Sequence, residues 1–150
     1  MRRTVPAIFI DTNVPIYAAG RPHGYKQPSI EVTELASRNA EQFVTDVEVL
    51  QGLISRYRSI RLWQTGRRVF DEFSSVMVGR VEPMLPQDAQ LAASLADAYP
   101  GLDARDLIHL AVMKRLGITR IVTTDGGFKN LPGIERLDPA DTEKWRDSVV

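Results

Sequence analysis

Hydrophobic positions along the chain fall into two kinds of segment, and the two alternate. Short apolar runs are separated by longer stretches with helical spacing. AIFI (7–10) carries two Ile and a Phe and ends in the polar DTN, which predicts a buried strand running into a turn. NVPIYAAG then starts a helix, with Pro15 in the first turn, where its missing N–H is tolerated. GRPHGYKQP (20–28) is rich in Gly and Pro and reads as a loop. SIEVTELASRNA (29–40) predicts a helix, with Ile30, Val32, Leu35 and Ala36 as its apolar positions and Ser29 as its cap. QFVT (42–45) predicts a second strand. TDVEVLQGLISRYRS (45–59) predicts a helix capped by Thr45 or Asp46, and a further helix spans 62–77. VEPML (81–85) predicts a third strand. PQDAQLAASLADAYP (86–100) and LDARDLIHLAVMKRLG (102–117) are the clearest helices, the second closed by Gly117 as C-cap. RIVTTD (120–125) predicts a strand, followed by a turn at the Gly pair and a last short strand near IERL (134–137).

Strands alternating with helices define an α/β class with a mainly parallel sheet. The 150 residues suit one domain, 1–150, with a core large enough to fold alone. No repeat, low-complexity segment or linker divides the chain. One position disagrees with its surroundings. Gly52 lies in the middle of the 45–59 helix, where Gly costs about 1 kcal/mol relative to Ala.

Composition narrows the chemistry. With no Cys, disulfides, zinc–thiolate sites and cysteine nucleophiles are excluded. His23 and His109 are the only histidines, too few for a His-rich metal site. The apolar run at the N-terminus is too short for a signal peptide, and no run approaches a membrane span, so a cytoplasmic location is expected. Nineteen basic and 19 acidic residues give zero formal charge, which argues against holding nucleic acid by bulk charge. The distribution is uneven, however: residues 56–68 carry five Arg and no acid, a candidate basic patch.

The acids are placed where function collects in parallel sheets, beyond the carboxyl ends of the strands. Asp11 follows the first strand and Asp125 follows IVTT. Asp103 and Asp106 lie in the first turns of one helix, and Glu48 in the first turns of another. Carboxylates brought together raise one another's pKa unless a cation is present. Hard cations such as Mg²⁺ or Mn²⁺ prefer such oxygens and activate water for attack on a phosphodiester. Each acid also has a structural role open to it. Asp103 suits an N-cap, Asp125 a turn, Asp106 the helix dipole, and Glu48 a capping box with Thr45.

The order of IFIDTN, FVTDVEVLQ with ISRY, and LDARDLIHLAVMKRLGITRIVTTDGGF resembles the PIN-domain family, and within it the VapC-like toxins of type II toxin–antitoxin pairs. The resemblance covers nearly the whole chain. It implies a three-layer α/β/α sandwich with a parallel sheet of about five strands. It further implies an Mg²⁺- or Mn²⁺-dependent ribonuclease, acting on RNA, held inactive by a small cognate antitoxin and forming homodimers. Carried over, Asp11, Asp106 and Asp125 match metal-site acids, and Asn13 and Thr124 the polar residues beside them. Asp103 has no fixed counterpart, though an acid there is within reach of metal or water. The remaining family acid is a Glu about two helical turns beyond the capping Ser or Thr, and here that position is Gly52. Two accounts follow: Glu48 substitutes as a catalytic acid, or this copy is impaired. A module that binds RNA or antitoxin without cleaving is the rival function. A phosphatase is disfavoured because DTN lacks the second Asp of a DxD motif.

Arg56, Arg58, Arg61 and Lys129 are candidate RNA contacts, since Arg makes bidentate phosphate contacts. Tyr57 and Trp63 offer stacking faces, with core packing the commoner fate. His109 reads mainly as a partly buried histidine bonded to backbone.

Overall fold

A computed structural model describes residues 8–149. It contains five parallel strands in the order β3-β2-β1-β4-β5. They are β1 (Ile8–Ile10), β2 (Phe43–Asp46), β3 (Val81–Glu82), β4 (Arg120–Val122) and β5 (Glu135–Leu137). Seven α-helices flank them among the described residues: α1 (Asn13–Ala19), α2 (Lys26–Arg38), α3 (Val47–Ser59), α4 (Trp63–Val76), α5 (Pro86–Ala98), α6 (Ala104–Leu116) and α7 (Thr142–Trp145). Ala7, placed by the sequence reading at the start of the first strand, lies outside the described residues.

Strand β1 is central because it has no polar side: Ile8, Phe9 and Ile10 are all fully buried. Continuous apolar runs of this kind belong in parallel sheets covered on both faces. Phe9 pairs with Val44 of β2 on one side and Ile121 of β4 on the other. The chain moves outward from β1 to β2 to β3, then returns across the sheet to β4 and β5. With right-handed crossovers, α1–α4 and the pair α5/α6 therefore cover opposite faces. The packing agrees. One core cluster joins the strands to Val14, Val32, Leu53, Phe73 and Met77, and a second joins Ala92 of α5 to Leu107, Leu110 and Ala111 of α6. The reversal of direction leaves a switch point between β1 and β4, the usual location of a ligand site in open α/β sheets.

Several element boundaries differ from expectation. Helix α2 starts at Lys26, so Ser29 is a buried residue inside it rather than its cap, and Pro28 falls in the first turn, where no N–H is needed. Strand β3 stops at Glu82, before Pro83, which has no donor for a ladder. The cap of α3 is Asp46, whose carboxylate accepts the Val49 N–H at 2.9 Å. Thr45 instead donates its hydroxyl to the Ile10 carbonyl at 2.9 Å. Glu48 is therefore not at the capping-box position. Gly117 closes α6 in the left-handed conformation, φ 73°, as expected. No helix among the described residues is long and apolar enough to cross a membrane.

Candidate metal and phosphodiester site

At the switch point the chain leaves β1 into Asp11 and leaves β4 into Thr123, Thr124 and Asp125. Helix α6 brings Asp103 and Asp106 to the same end. A cleft of about 390 Å³ opens there, lined by Asp11, Thr12, Asn13, Gly52, Asp103, Arg105, Asp106, Thr124 and Asp125, with Arg56 at its edge.

Asp11 is 4% exposed and tightly held. Its Oδ1 accepts the Thr12 N–H at 2.6 Å, and its Oδ2 accepts the Thr123 hydroxyl at 2.7 Å and the Asn13 amide at 3.3 Å. Asn13 also donates to Thr123 Oγ1 at 2.9 Å and accepts the Thr124 N–H at 3.1 Å, which ties the β1 and β4 exits together. Thr123 bonds Asp11 through its hydroxyl, and Thr124 bonds Asn13 through its backbone N–H and lines the cleft. Asp125 accepts the Gly127 N–H at 2.8 Å, and Asp103 accepts the Asp106 N–H at 2.8 Å. Both therefore serve as caps and as walls of the cleft.

For Asp106 the surroundings work the other way, favouring its protonated form. Its carboxyl is pushed up to about 8, first by burial and then by the negative charges of Asp11, Asp103 and Asp125. A carboxylate crowded by three others is the electrostatic signature of a place for positive charge. The donor set is all hard oxygen, which fits Mg²⁺ or Mn²⁺. Among the described residues, no group of three or more His, Asp or Glu side chains is arranged to hold a metal ion.

Glu48 does not join this group. It faces Arg105, whose Nε stands 3.5 Å from Glu48 Oε1 as an ion pair without a hydrogen bond. Gly52 does line the cleft. Of the basic candidates, Arg56 reaches the cleft, whereas Arg58, Arg61 and Lys129 are exposed elsewhere and line none of it. Tyr57 is buried and Trp63 packs partly buried against the core.

The sequence reading missed one buried pair beneath the acids. His109 is fully buried, and its Nδ1 meets Asp46 Oδ2 at 2.8 Å, a carboxylate rather than the expected backbone partner. Its Nε2 stands 3.6 Å from Asp11 Oδ1. Burial pulls the imidazole pKa down, but the hydrogen bond and charge of Asp46, with Asp11 and Asp106 beyond, outweigh it and hold the pKa above the ordinary range. Arg136 of β5 is a second omission. It donates to the carbonyls of Asp125 and Thr124, each at 3.0 Å.

Comparison with known proteins agrees with the fold. The family model for the PIN domain matches residues 8–134, and the chain belongs to that family. It is 38% identical over 130 residues to Ribonuclease VapC13 of Mycobacterium tuberculosis, covering 87% of this chain and 98% of that protein. It is 36% identical over 121 residues to Ribonuclease VapC23 of the same species, covering 79% and 92%. Among solved structures it is similar to VapBC2 from Rickettsia felis bound to a DNA fragment from their promoter, with TM-score 0.69 and 15% identity over 88% of this chain and 98% of that one. At that identity the likeness concerns the fold alone.

Proposed function

We propose that this protein is a divalent-metal-dependent endoribonuclease, the toxin of a type II toxin–antitoxin pair acting in the cytoplasm. The observation that carries the reading is the cleft at the β1/β4 switch point, where Asp11, Asp103, Asp106 and Asp125 meet and Asp106 is driven up to about 8. Its relatives named as VapC ribonucleases supply the reaction class. Asp11, Asp106 and Asp125 would hold Mg²⁺ or Mn²⁺, which when bound supplies Lewis acidity and a water of lowered pKa for hydrolysis of an RNA phosphodiester.

The chain's own residues prepare that chemistry. Asn13 and Thr123 fix the Asp11 carboxylate so that it does not swing away from its neighbours. Arg136 holds the Asp125 turn by its carbonyls. Asp106 carries a proton near neutral pH and gives it up as positive charge arrives. Asp103 stays at the mouth, placed to bond water or metal. Substrate enters as single-stranded RNA, whose backbone is accessible to an open cleft of this size. A small antitoxin and a second copy of the chain are the expected partners. Solved relatives described as toxin–antitoxin complexes support the first.

Gly52 brings no carboxylate to this wall, and Glu48 is occupied by Arg105. Cleavage is accordingly slower than a fourth acid at position 52 would allow. The rival reading, a module that binds RNA or antitoxin without cleaving, is favoured by the same glycine. The test compares the antitoxin-free chain, Gly52→Glu and Asp11→Asn on a mixed RNA pool with Mg²⁺ or Mn²⁺. The expected result is weak cleavage by the parent chain, at least about tenfold more by Gly52→Glu, and none by Asp11→Asn or in EDTA. Silence from the parent and Gly52→Glu alike, with RNA binding retained, would establish the rival.

A further inference from the structure

A second cavity adjoins the acidic cleft and differs from it in chemistry. Its volume is about 700 Å³, within the range of roughly 300–1,000 Å³ common for small-ligand sites. Ile16 and Tyr17 of α1 and Arg56 of α3 line both spaces, so the two meet there. Four aspartates line the cleft, whereas among the described residues no acid lines the cavity, and Arg21 joins Arg56 in its wall. A polyanion repelled by the aspartates is therefore attracted immediately beside them.

The cavity also carries rings. Tyr17 and His23 line it with their centroids 4.8 Å apart. Tyr25 packs against both, 5.3 Å from Tyr17 and 5.9 Å from His23, nearly parallel to the imidazole at 13°. The cluster is tied down. His23 Nδ1 accepts the Tyr25 N–H at 3.1 Å, and the Tyr25 hydroxyl donates to Asp138 at 3.4 Å. Beyond the rings, the lining includes Ile60 and Leu62, which are 42% and 52% exposed and give their surface to this space rather than to the core. Rings and apolar side chains flanked by guanidinium groups suit a single-stranded nucleotide, whose base stacks while its phosphates need positive charge.

We propose that this cavity is a nucleobase site, which takes the base of the nucleotide next to the phosphodiester held at the acidic cleft. This rests on the ribonuclease reading and names how that substrate is held beside the bond that is cut. Tyr17 and His23 are the stacking partners, and Ile60 and Leu62 give apolar support. Arg56, common to both spaces, stands where the linking phosphate passes. Stacking reads a π-face that every base has, so the site fixes the position of the RNA chain more than its sequence.

The test measures equilibrium binding to the full chain in EDTA, where affinity is read without cleavage. Two ligands are compared: a short labelled oligouridylate, whose bases stack weakly on one another, and a ribose-phosphate chain of equal length and charge without bases. The parent should prefer the oligouridylate about tenfold. Tyr17→Leu and His23→Leu should each remove most of that preference and leave the base-free chain bound as before, while Tyr17→Phe and His23→Phe, which keep a ring, should retain it. Arg56→Gln should weaken both ligands alike and reduce the salt slope of log K by about one. Gly52 does not line the cavity, so Gly52→Glu should keep the preference for bases. Equal affinity of the parent for the two ligands overturns the site without any substitution, as does absence of RNA binding by the parent. Unchanged oligouridylate binding by Tyr17→Leu and His23→Leu, with loss of self-association or of the antitoxin complex, also overturns it and gives the cavity to a protein partner. Cleavage is scored separately with Mg²⁺. Ring-dependent binding with no cleavage by any variant would sink the ribonuclease reading alone. Cleavage with base-independent binding would sink the nucleobase site alone.

Discussion

Asp106 is the residue whose chemistry the fold alters most, and its effect on stability has a definite sign. Burial and the charges of Asp11, Asp103 and Asp125 raise its folded-state pKa to about 8, against an unfolded value of about 3.9. Between those values the folded protein holds a proton that the unfolded chain has released. The group's contribution is therefore fully present below about pH 4 and is lost as pH rises toward about 8. In metal-free buffer, Asp106→Asn should stabilise the protein at about pH 8 by about 1–2 kcal/mol, a few degrees in Tm, and much less at about pH 5. Solvent reaches the cleft and screens its charges, so the effect is much smaller than the full pKa difference would give. Thermal melts of both proteins across that range decide it. An equal effect at both ends would mean that Asp106 is not the titrating group. Adding Mg²⁺ should remove the pH dependence of the parent chain, since a bound cation takes the place of the proton.

At the scale of elements, the helices differ in how much of their arrangement shows in the sequence. Helix α6 was legible to within a residue or two because its start is marked by an Asp cap, its end by Gly117, and its apolar positions recur without interruption. The strand–Asp junctions at Asp11 and Asp125 were legible for a similar reason, each being a local change from apolar run to acid. What was hidden depends on contacts between distant positions. Asp46 and His109 are 63 residues apart, and Thr123 and Asp11 are 112 apart, so no local pattern announces either bond. The contact of α3 with α4 was hidden too. Gly66 lies against Tyr57 so closely that a Cβ there would be 2.3 Å from Tyr57 Cβ and 2.6 Å from its Cγ. Those atoms sit at the base of a buried side chain and have no room to give. Gly66→Ala should raise helix propensity yet destabilise the protein by about 2–3 kcal/mol, because the two helices must separate. Denaturant unfolding tests this directly. A neutral or stabilising result would show that α3 and α4 can part at little cost, and that the close approach is incidental.

At the scale of the whole molecule, the site depends on connections across a very shallow sheet. Each strand has only two to four residues, so the chain leaves the ladder almost as soon as it enters it. Loops bearing Asp11 and Asp125 thus get little rigidity from backbone pairing and depend on side chains that span strands. Asn13 provides one such link between β1 and β4. Arg136 provides another from the edge strand β5, with hydrogen bonds to the Thr124 and Asp125 carbonyls and an ion pair to Asp138 at 3.4 Å. An edge strand that carries no acid of the cleft then steadies one of them. Arg136→Met keeps much of the apolar stem and removes the donors. It should cost about 1–2 kcal/mol of stability. It should also speed amide exchange at Gly126 and Gly127 about tenfold, under conditions where exchange in β1 is unchanged. Metal-dependent cleavage should fall by a similar factor. If exchange at the two glycines does not change, the turn is held by the Asp125 cap alone, and the edge strand has no part in positioning the acid.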